Sequence, residues 1–173
     1  MGSVLAVDLS LTDRLIKDGV PDPRFDLANA PGMVAATDLR DRTVVQITGN
    51  GTRGVYAVSA PHVLCASFVT ATATAGFLRE ERIRSVLFVP TEGDEDAALA
   101  DYLVELLHGD GDATDFLRRA EASPAAAELR QRGPNPAFPG VHPDDLMRCL
   151  EVDRFDFALE ATPQGVLRKL ERR

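Results

Sequence analysis

Short β-branched runs alternate with segments of helical period through the middle of this chain, and that alternation constrains the fold more than any other feature. Thr43-Val44-Val45-Gln46-Ile47-Thr48 is bounded by Asp41 and Gly49, His62-Val63-Leu64-Cys65-Ala66 is ended by Ser67, and Ser85-Val86-Leu87-Phe88-Val89 is stopped by Pro90. Each reads as a strand. The spacing predicts helices over 55–59, 69–82 and 94–107; in the last, Leu99, Tyr102, Leu103, Leu106 and Leu107 share one stripe. The run 70–76 mixes Thr and Ala in strict alternation, which also suits a strand. Val69, Ala73 and Phe77 at i+4 intervals favour a helix whose small residues let it lie close to a sheet.

Elsewhere, 4–7 reads as a short buried strand, and 18–32, with Pro21, Pro23 and Pro31, as an irregular connection. Helices are expected over 113–122, 124–131 and 144–150, a last strand over 155–159, and a charged tail helix over 166–173. Pro134, Pro136, Pro139 and Pro143 mark a surface loop. Strands alternating with helices imply parallel βα units, so the expected fold is α/β, a three-layer α/β/α sandwich with a mainly parallel sheet. At 173 residues it fits a single domain over 1–173.

Charge and cysteine content exclude several functions. Acidic residues outnumber basic ones 27 to 19, a net charge of −8 that opposes binding to a nucleic-acid backbone. A small anion held in one local pocket is not opposed. Cys65 and Cys149 lie far apart and form no CxxC, so neither a metal–thiolate cluster nor a structural disulfide is expected. The opening apolar run is cut by Asp8, and no segment approaches the ~20 apolar residues of a membrane span. The expected setting is cytoplasmic, away from membranes.

In open α/β sheets, ligands sit where strand C-terminal ends meet helix N-termini, which singles out loops 49–54 and 90–96. Gly49-Asn50-Gly51-Thr52-Arg53-Gly54 spells GxGxxG after a strand. A dinucleotide site also needs an acidic residue about 20 positions on, where this chain has Ser67-Phe68-Val69-Thr70-Ala71-Thr72; a P-loop needs a Lys-Ser/Thr pair that is absent. Two readings of the turn stay open. Its backbone N–H groups and helix dipole, with Arg53 as a fixed cation, suit a phosphate or sulfonate. Alternatively it is a tight turn that needs glycine, with Arg53 in solvent.

Asp94-Glu95-Asp96 opens the strongest helix, and Glu92 precedes it. Carboxylates in a first turn are favoured by the dipole; crowded carboxylates also suit a hard divalent ion such as Mg²⁺. Other phosphatase chemistries fail on spacing. Six residues after Cys65 stands Ala71, and after Cys149 Phe155, where a cysteine nucleophile would need Arg. Val7-Asp8-Leu9-Ser10-Leu11-Thr12 approaches an Asp-x-Asp-x-Thr strand end, but Ser10 replaces the second Asp, the proton carrier. His62, His108 and His142 follow no ligand spacing and read as strand-edge, helix-end and loop residues, and Cys65 as core.

Several stretches together resemble the 2-phosphosulfolactate phosphatases, the ComB-like family. Phe25-Asp26-Leu27-Ala28-Asn29-Ala30-Pro31 is similar to the family's FDLGNSP segment, and Asp41 to Arg53 to its strand followed by NGTR. Thr91-Glu92-Gly93 with Glu95-Asp96 resembles its TEG and ED pair, and 144–150 with 153–156 its late helix and final strand. The family's N-terminal module, with its Arg-Ala-Thr-Thr loop, is largely missing; Asp8 stands where its strand-end Asp would be. The resemblance implies a Mg²⁺-dependent phosphatase removing phosphate from a small phosphorylated 2-hydroxy acid that also carries a sulfonate, on the route to coenzyme M. It implies that Asp8 and Asp26 serve catalysis, that Asn29, Asn50, Gly51, Thr52 and Arg53 hold the substrate's anionic groups, and that Glu95 and Asp96 bind or orient Mg²⁺. A second expectation is a non-catalytic relative that binds an anionic metabolite or a protein partner. A shortened sheet would leave an edge able to pair with a second copy, giving a homodimer.

Overall fold

A computed structural model describes residues 26–41, 44, 51–91, 93–109 and 111–171. The chain divides into two compact units, one made of Met1–Thr52 with Ala126–Arg148, the other of Arg53–Ala125 with Cys149–Arg173.

The second unit holds the sheet. Strands β1 (Leu64–Cys65), β2 (Phe157–Ala161) and β3 (Leu167–Glu171) lie in that spatial order, both pairs antiparallel, with Leu64 opposite Glu160 and Glu160 opposite Arg168. A turn of 3₁₀ helix, Phe68–Thr70, leads from β1 into helix α3 (Ala71–Glu80), which follows α1 (Pro31–Ala35) and α2 (Gly51–Ala57) along the chain. The Thr/Ala run is helical because its small side chains let it pack tightly on both sides. Ala71, Ala73, Thr74, Ala75 and Leu78 are all buried, with β2 on one side and helix α4 (Gly93–His108) on the other. Asp153, at φ 49°, caps α3: its carboxylate accepts from the Thr72 N–H at 2.7 Å and the Thr72 hydroxyl at 2.6 Å.

Helix α5 (Thr114–Glu121) packs on α4. The core between these helices gathers Phe68, Ala71, Ala75, Ala98, Tyr102, Leu103, Leu106 and Ala120. The Tyr102 ring stacks on Phe68, centroids 6.0 Å apart, and tilts against Phe116 at 5.5 Å. All five stripe residues, Leu99, Tyr102, Leu103, Leu106 and Leu107, therefore face this core, fully or in part, as their spacing predicts.

Helices and strands mix as expected, but several assignments need correction. Among the described residues the sheet is antiparallel, and the expected parallel ladder is not seen in them. The strands expected over 43–48 and 4–7 lie outside the described residues apart from Val44. Residues 85–89 form no ladder: Phe88 packs against the core while Leu87 stays 78% and Val89 48% exposed. The tail is β3 and not a helix. Thr162 and Gly165 close a hairpin, the Gly165 N–H donating to the Thr162 carbonyl at 2.9 Å with Gly165 at φ 74°, and the chain returns along β2. No helix among the described residues is long and apolar enough to cross a membrane.

In the first unit, Pro31 opens helix α1 (Pro31–Ala35) where its missing N–H costs nothing. Helix α2 (Gly51–Ala57) begins at this unit's edge, while α6 (Pro124–Arg132) and α7 (Asp145–Cys149) flank the proline loop. Asp145, only 3% exposed, knits the unit: its carboxylate accepts from the Gly32 N–H and from the His142 N–H, each at 2.8 Å. Gly32 has to be glycine, since a Cβ there would lie 2.2 Å from His142 Nδ1.

Candidate functional site

Within the second unit, Gly54 at the end of the 49–54 loop meets Thr91 of the 90–96 loop, while Gly51 and Thr52 belong to the first unit. Helix α2 carries Gly51, Thr52 and Arg53 in its first turn, with Gly51 and Arg53 exposed and Thr52 half-buried. One residue on, Gly54 packs against Thr91, so closely that a Cβ at Gly54 would lie 2.8 Å from the Thr91 γ-methyl. Thr91 in turn donates both its N–H, at 2.8 Å, and its hydroxyl, at 3.0 Å, to Oδ2 of Asp96 in the first turn of α4. A continuous chain of contacts thus joins the residue after Arg53 to the acidic helix end.

Asp94, Glu95 and Asp96 sit where the dipole of a 16-residue helix favours negative charge. Gly93, at φ 68°, takes the left-handed conformation that starts the helix, and the Glu95 carboxylate folds back over it: a Cβ at Gly93 would meet Oε2 at 2.5 Å. Glu95 Oε2 is buried and makes no hydrogen bond among the described residues. A buried anionic oxygen without a partner is costly, and a hard cation is the chemistry that satisfies it. Among the described residues no group of three or more His, Cys, Asp or Glu side chains converges on one point. Mg²⁺ does not require one, because it binds through one or two carboxylates and keeps several waters. The donor set fits Mg²⁺ through Glu95, with Oδ2 of Asp96 committed to Thr91.

Asp26 and Asn29 are exposed in the first unit, ahead of α1. Asp8 and Asn50 lie outside the described residues, as does Glu92. In the sequence Thr91 and Gly54 are only letters of motifs; their contact carries the geometry.

Other titratable groups have structural partners. Glu160, its side chain 9% exposed on the central strand, meets His62 Nδ1 at 2.7 Å through Oε1 and the Arg168 guanidinium through Oε2. The His62 hydrogen bond, supported by Arg168, holds the Glu160 carboxyl below its ordinary range against the opposing effect of burial. Burial, reinforced by the Asp153 charge, pushes the Tyr102 phenol up. Burial also pushes up the thiol of Cys65, which suits core packing better than nucleophilic attack. His108 ends α4, and its Nδ1 lies 2.7 Å from the Val104 carbonyl; His142 Nδ1 accepts the Asp144 N–H at 3.1 Å.

Comparison with known proteins places this chain in a family. The 2-phosphosulpholactate phosphatase family model matches residues 17–137, well over half of the chain. A protein of Bacillus subtilis (strain 168) named probable 2-phosphosulfolactate phosphatase is 26% identical over 164 residues, covering 89% of this chain and 69% of that protein. A protein of the same name from Thermoplasma acidophilum is 27% identical over 150 residues, covering 83% of this chain and 63% of its own length. One from Thermus thermophilus is 42% identical over 64 residues, 36% of this chain and 27% of that protein. The match spans both the 51–54 turn and the acidic start of α4, and the chain belongs to the 2-phosphosulpholactate phosphatase family.

Proposed function

We propose that the protein is a Mg²⁺-dependent phosphatase acting on a small phosphorylated 2-hydroxy acid, with 2-phosphosulfolactate as the model substrate. The observation that carries this reading is the contact of Gly54 with Thr91, which caps Asp96: it brings a cationic helix start and an acidic helix start into one neighbourhood. Arg53 supplies the positive charge for a phosphate or sulfonate; the roles given to Gly51 and Thr52 rest on the family resemblance. Glu95 holds the metal through its unpartnered Oε2, and Asp96, fixed by Thr91, keeps that helix end in place. A bound Mg²⁺ supplies charge neutralisation of the phosphoryl oxygens and a more acidic water. The roles given to Asp8, Asp26, Asn29 and Asn50 rest on the family resemblance alone.

The test is phosphate release from 2-phosphosulfolactate and from 2-phospholactate, with Mg²⁺ and with chelator. Turnover that needs Mg²⁺ and falls at least ~100-fold in Glu95→Gln supports the reading. Full turnover in chelator, or full turnover of Glu95→Gln, sinks the metal assignment; full turnover of Asp96→Ala sinks the role of Asp96 in holding that helix end. The same reading expects a mainly parallel three-layer sandwich in a single domain, a cytoplasmic location and a homodimer. Crystallography, cell fractionation and light scattering check these in turn.

A further inference from the structure

We infer that Thr91 is a positioning residue, whose methyl sets how closely helix α2 approaches the acidic start of α4 and whose hydroxyl holds Asp96 there. The inference rests on the phosphatase reading and deepens it, giving Thr91 and Gly54 a role exerted through Asp96 and helix α2.

Thr91 is bound on two sides at once. Its N–H and hydroxyl both go to Asp96 Oδ2, at 2.8 and 3.0 Å, which fixes the orientation of its Cβ substituents. Its γ-methyl then points toward Gly54, 2.8 Å from where a Cβ would stand. A threonine cannot move its methyl independently of its hydroxyl, since both hang on one stiff χ1 torsion. Any group added at Gly54 therefore pushes on the methyl and turns the hydroxyl off Asp96. The displacement needed is small: a Cβ at 2.8 Å has to retreat to at least 3.4 Å for ordinary contact. Either α2 moves away, carrying Arg53 with it, or the Asp96 cap loosens. Both routes disturb the relation between the anion-binding and metal-binding ends of the site, where errors of about 1 Å can cost on the order of a hundredfold in rate.

The third glycine of Gly49-Asn50-Gly51-Thr52-Arg53-Gly54 thus has a reason unrelated to nucleotide phosphates. It leaves room for a side chain arriving from the next crossover.

The experiment is a rescue cycle of Gly54→Ala, Thr91→Ser, the double variant and Thr91→Val, in the full chain. Each is followed by kcat, by KM for the ester, by the Mg²⁺ concentration giving half-maximal rate, and by thermal melting. Gly54→Ala is expected to lower kcat about tenfold or more and to raise the Mg²⁺ requirement. Thr91→Ser removes the obstructing methyl and keeps the hydroxyl, so the double variant is expected to recover to within about threefold of Thr91→Ser alone. Thr91→Val keeps the methyl and loses the hydroxyl; it should raise the Mg²⁺ requirement several-fold with KM for the ester nearly unchanged. A double variant no better than Gly54→Ala, or a Gly54→Ala protein with native kinetics and melting, overturns the inference. So does a Thr91→Val that melts lower with no change in Mg²⁺ dependence, since that marks a purely structural contact. If the unaltered chain hydrolyses no phosphoester, the phosphatase reading fails and the positioning role falls with it; rescue of melting by Thr91→Ser would then show that the Gly54 contact is real but serves the fold alone.

Discussion

Replacing Asp145 by alanine should uncouple helix α1 from helix α7, and the size of the loss follows from two hydrogen bonds. The carboxylate is 3% exposed and accepts from the N–H groups of Gly32 and His142, each at 2.8 Å. Gly32 lies 113 residues away in sequence, so this bond ties two distant segments and is unlike a local cap. Alanine leaves both N–H groups without an acceptor. An orphaned buried donor costs about 1–3 kcal/mol, with the half-buried His142 at the lower end and the buried Gly32 higher. The sum is about 3 kcal/mol, or a fall of roughly 6–12 °C in melting temperature for a chain of this size. Asp145→Asn keeps one acceptor oxygen but turns an amide N–H₂ toward the other donor, so it should lose about half as much. Thermal and urea unfolding give the magnitude; amide hydrogen exchange at Gly32 and His142 locates it. An Asp145→Ala protein that melts within about 1 °C of the unaltered chain, with both amides still protected, refutes the argument.

Three further outcomes are expected. Gly32→Ala puts a Cβ 2.2 Å from His142 Nδ1 and should swing the imidazole off the Asp144 N–H, costing about 1–3 kcal/mol in urea unfolding. Ala98→Leu, at a fully buried position between helices, should cost a similar amount and move the near-ultraviolet signal of Tyr102. The depressed carboxyl of Glu160 contributes stability that is complete above its unfolded value near 4.5 and is lost as pH falls through its lower folded value. Melting temperature should therefore drop on acidification below that point, and His62→Ala, which removes the largest cause of the shift, should flatten the drop; equal acid limbs in the two proteins would contradict this.

The helices were legible because their packing repeats every three to four residues. The 94–107 stripe names its own core, and the helix found, Gly93–His108, differs by one residue at each end. The Thr/Ala run over 70–76 was settled by its long neighbours, Val69 and Phe77, and α3 indeed lies between sheet and helix. The tail was misread because Leu167, Arg168, Lys169, Leu170 and Glu171 are good helix formers. What decides it is non-local: five consecutive residues pair with β2, and Arg168 reaches Glu160 across the ladder. A local signal for the hairpin was present, since Pro163-Gln164-Gly165 offers a turn with glycine where a positive φ is needed.

The site was legible in its residues but not in its joints. The α/β pattern leads one to expect that loops 49–54 and 90–96 converge, each with a bland alternative, but neither string names the contact by which they would meet. Their junction depends on a glycine with no side chain and a threonine read as part of a three-letter motif, and only packing reveals why those two identities are linked. Asp96 shows the same point from the charge side. Sequence counts it as one more anion in a crowded turn, whereas in the fold one of its oxygens is already taken by two donors from Thr91. Glu95 differs, with a buried Oε2 that meets no hydrogen-bond donor among the described residues. Two neighbouring carboxylates that look equivalent as letters are therefore unequal in their surroundings: one fastens the helix end to the incoming loop, and the other has a buried oxygen that the proposed function gives to a cation. Glu95→Gln should accordingly abolish the Mg²⁺ response and leave melting nearly unchanged or raised, because it removes an unpaired buried charge. Asp96→Asn should lower melting first, because it weakens the cap. If the two variants behave alike in both assays, the division of labour between these carboxylates is wrong.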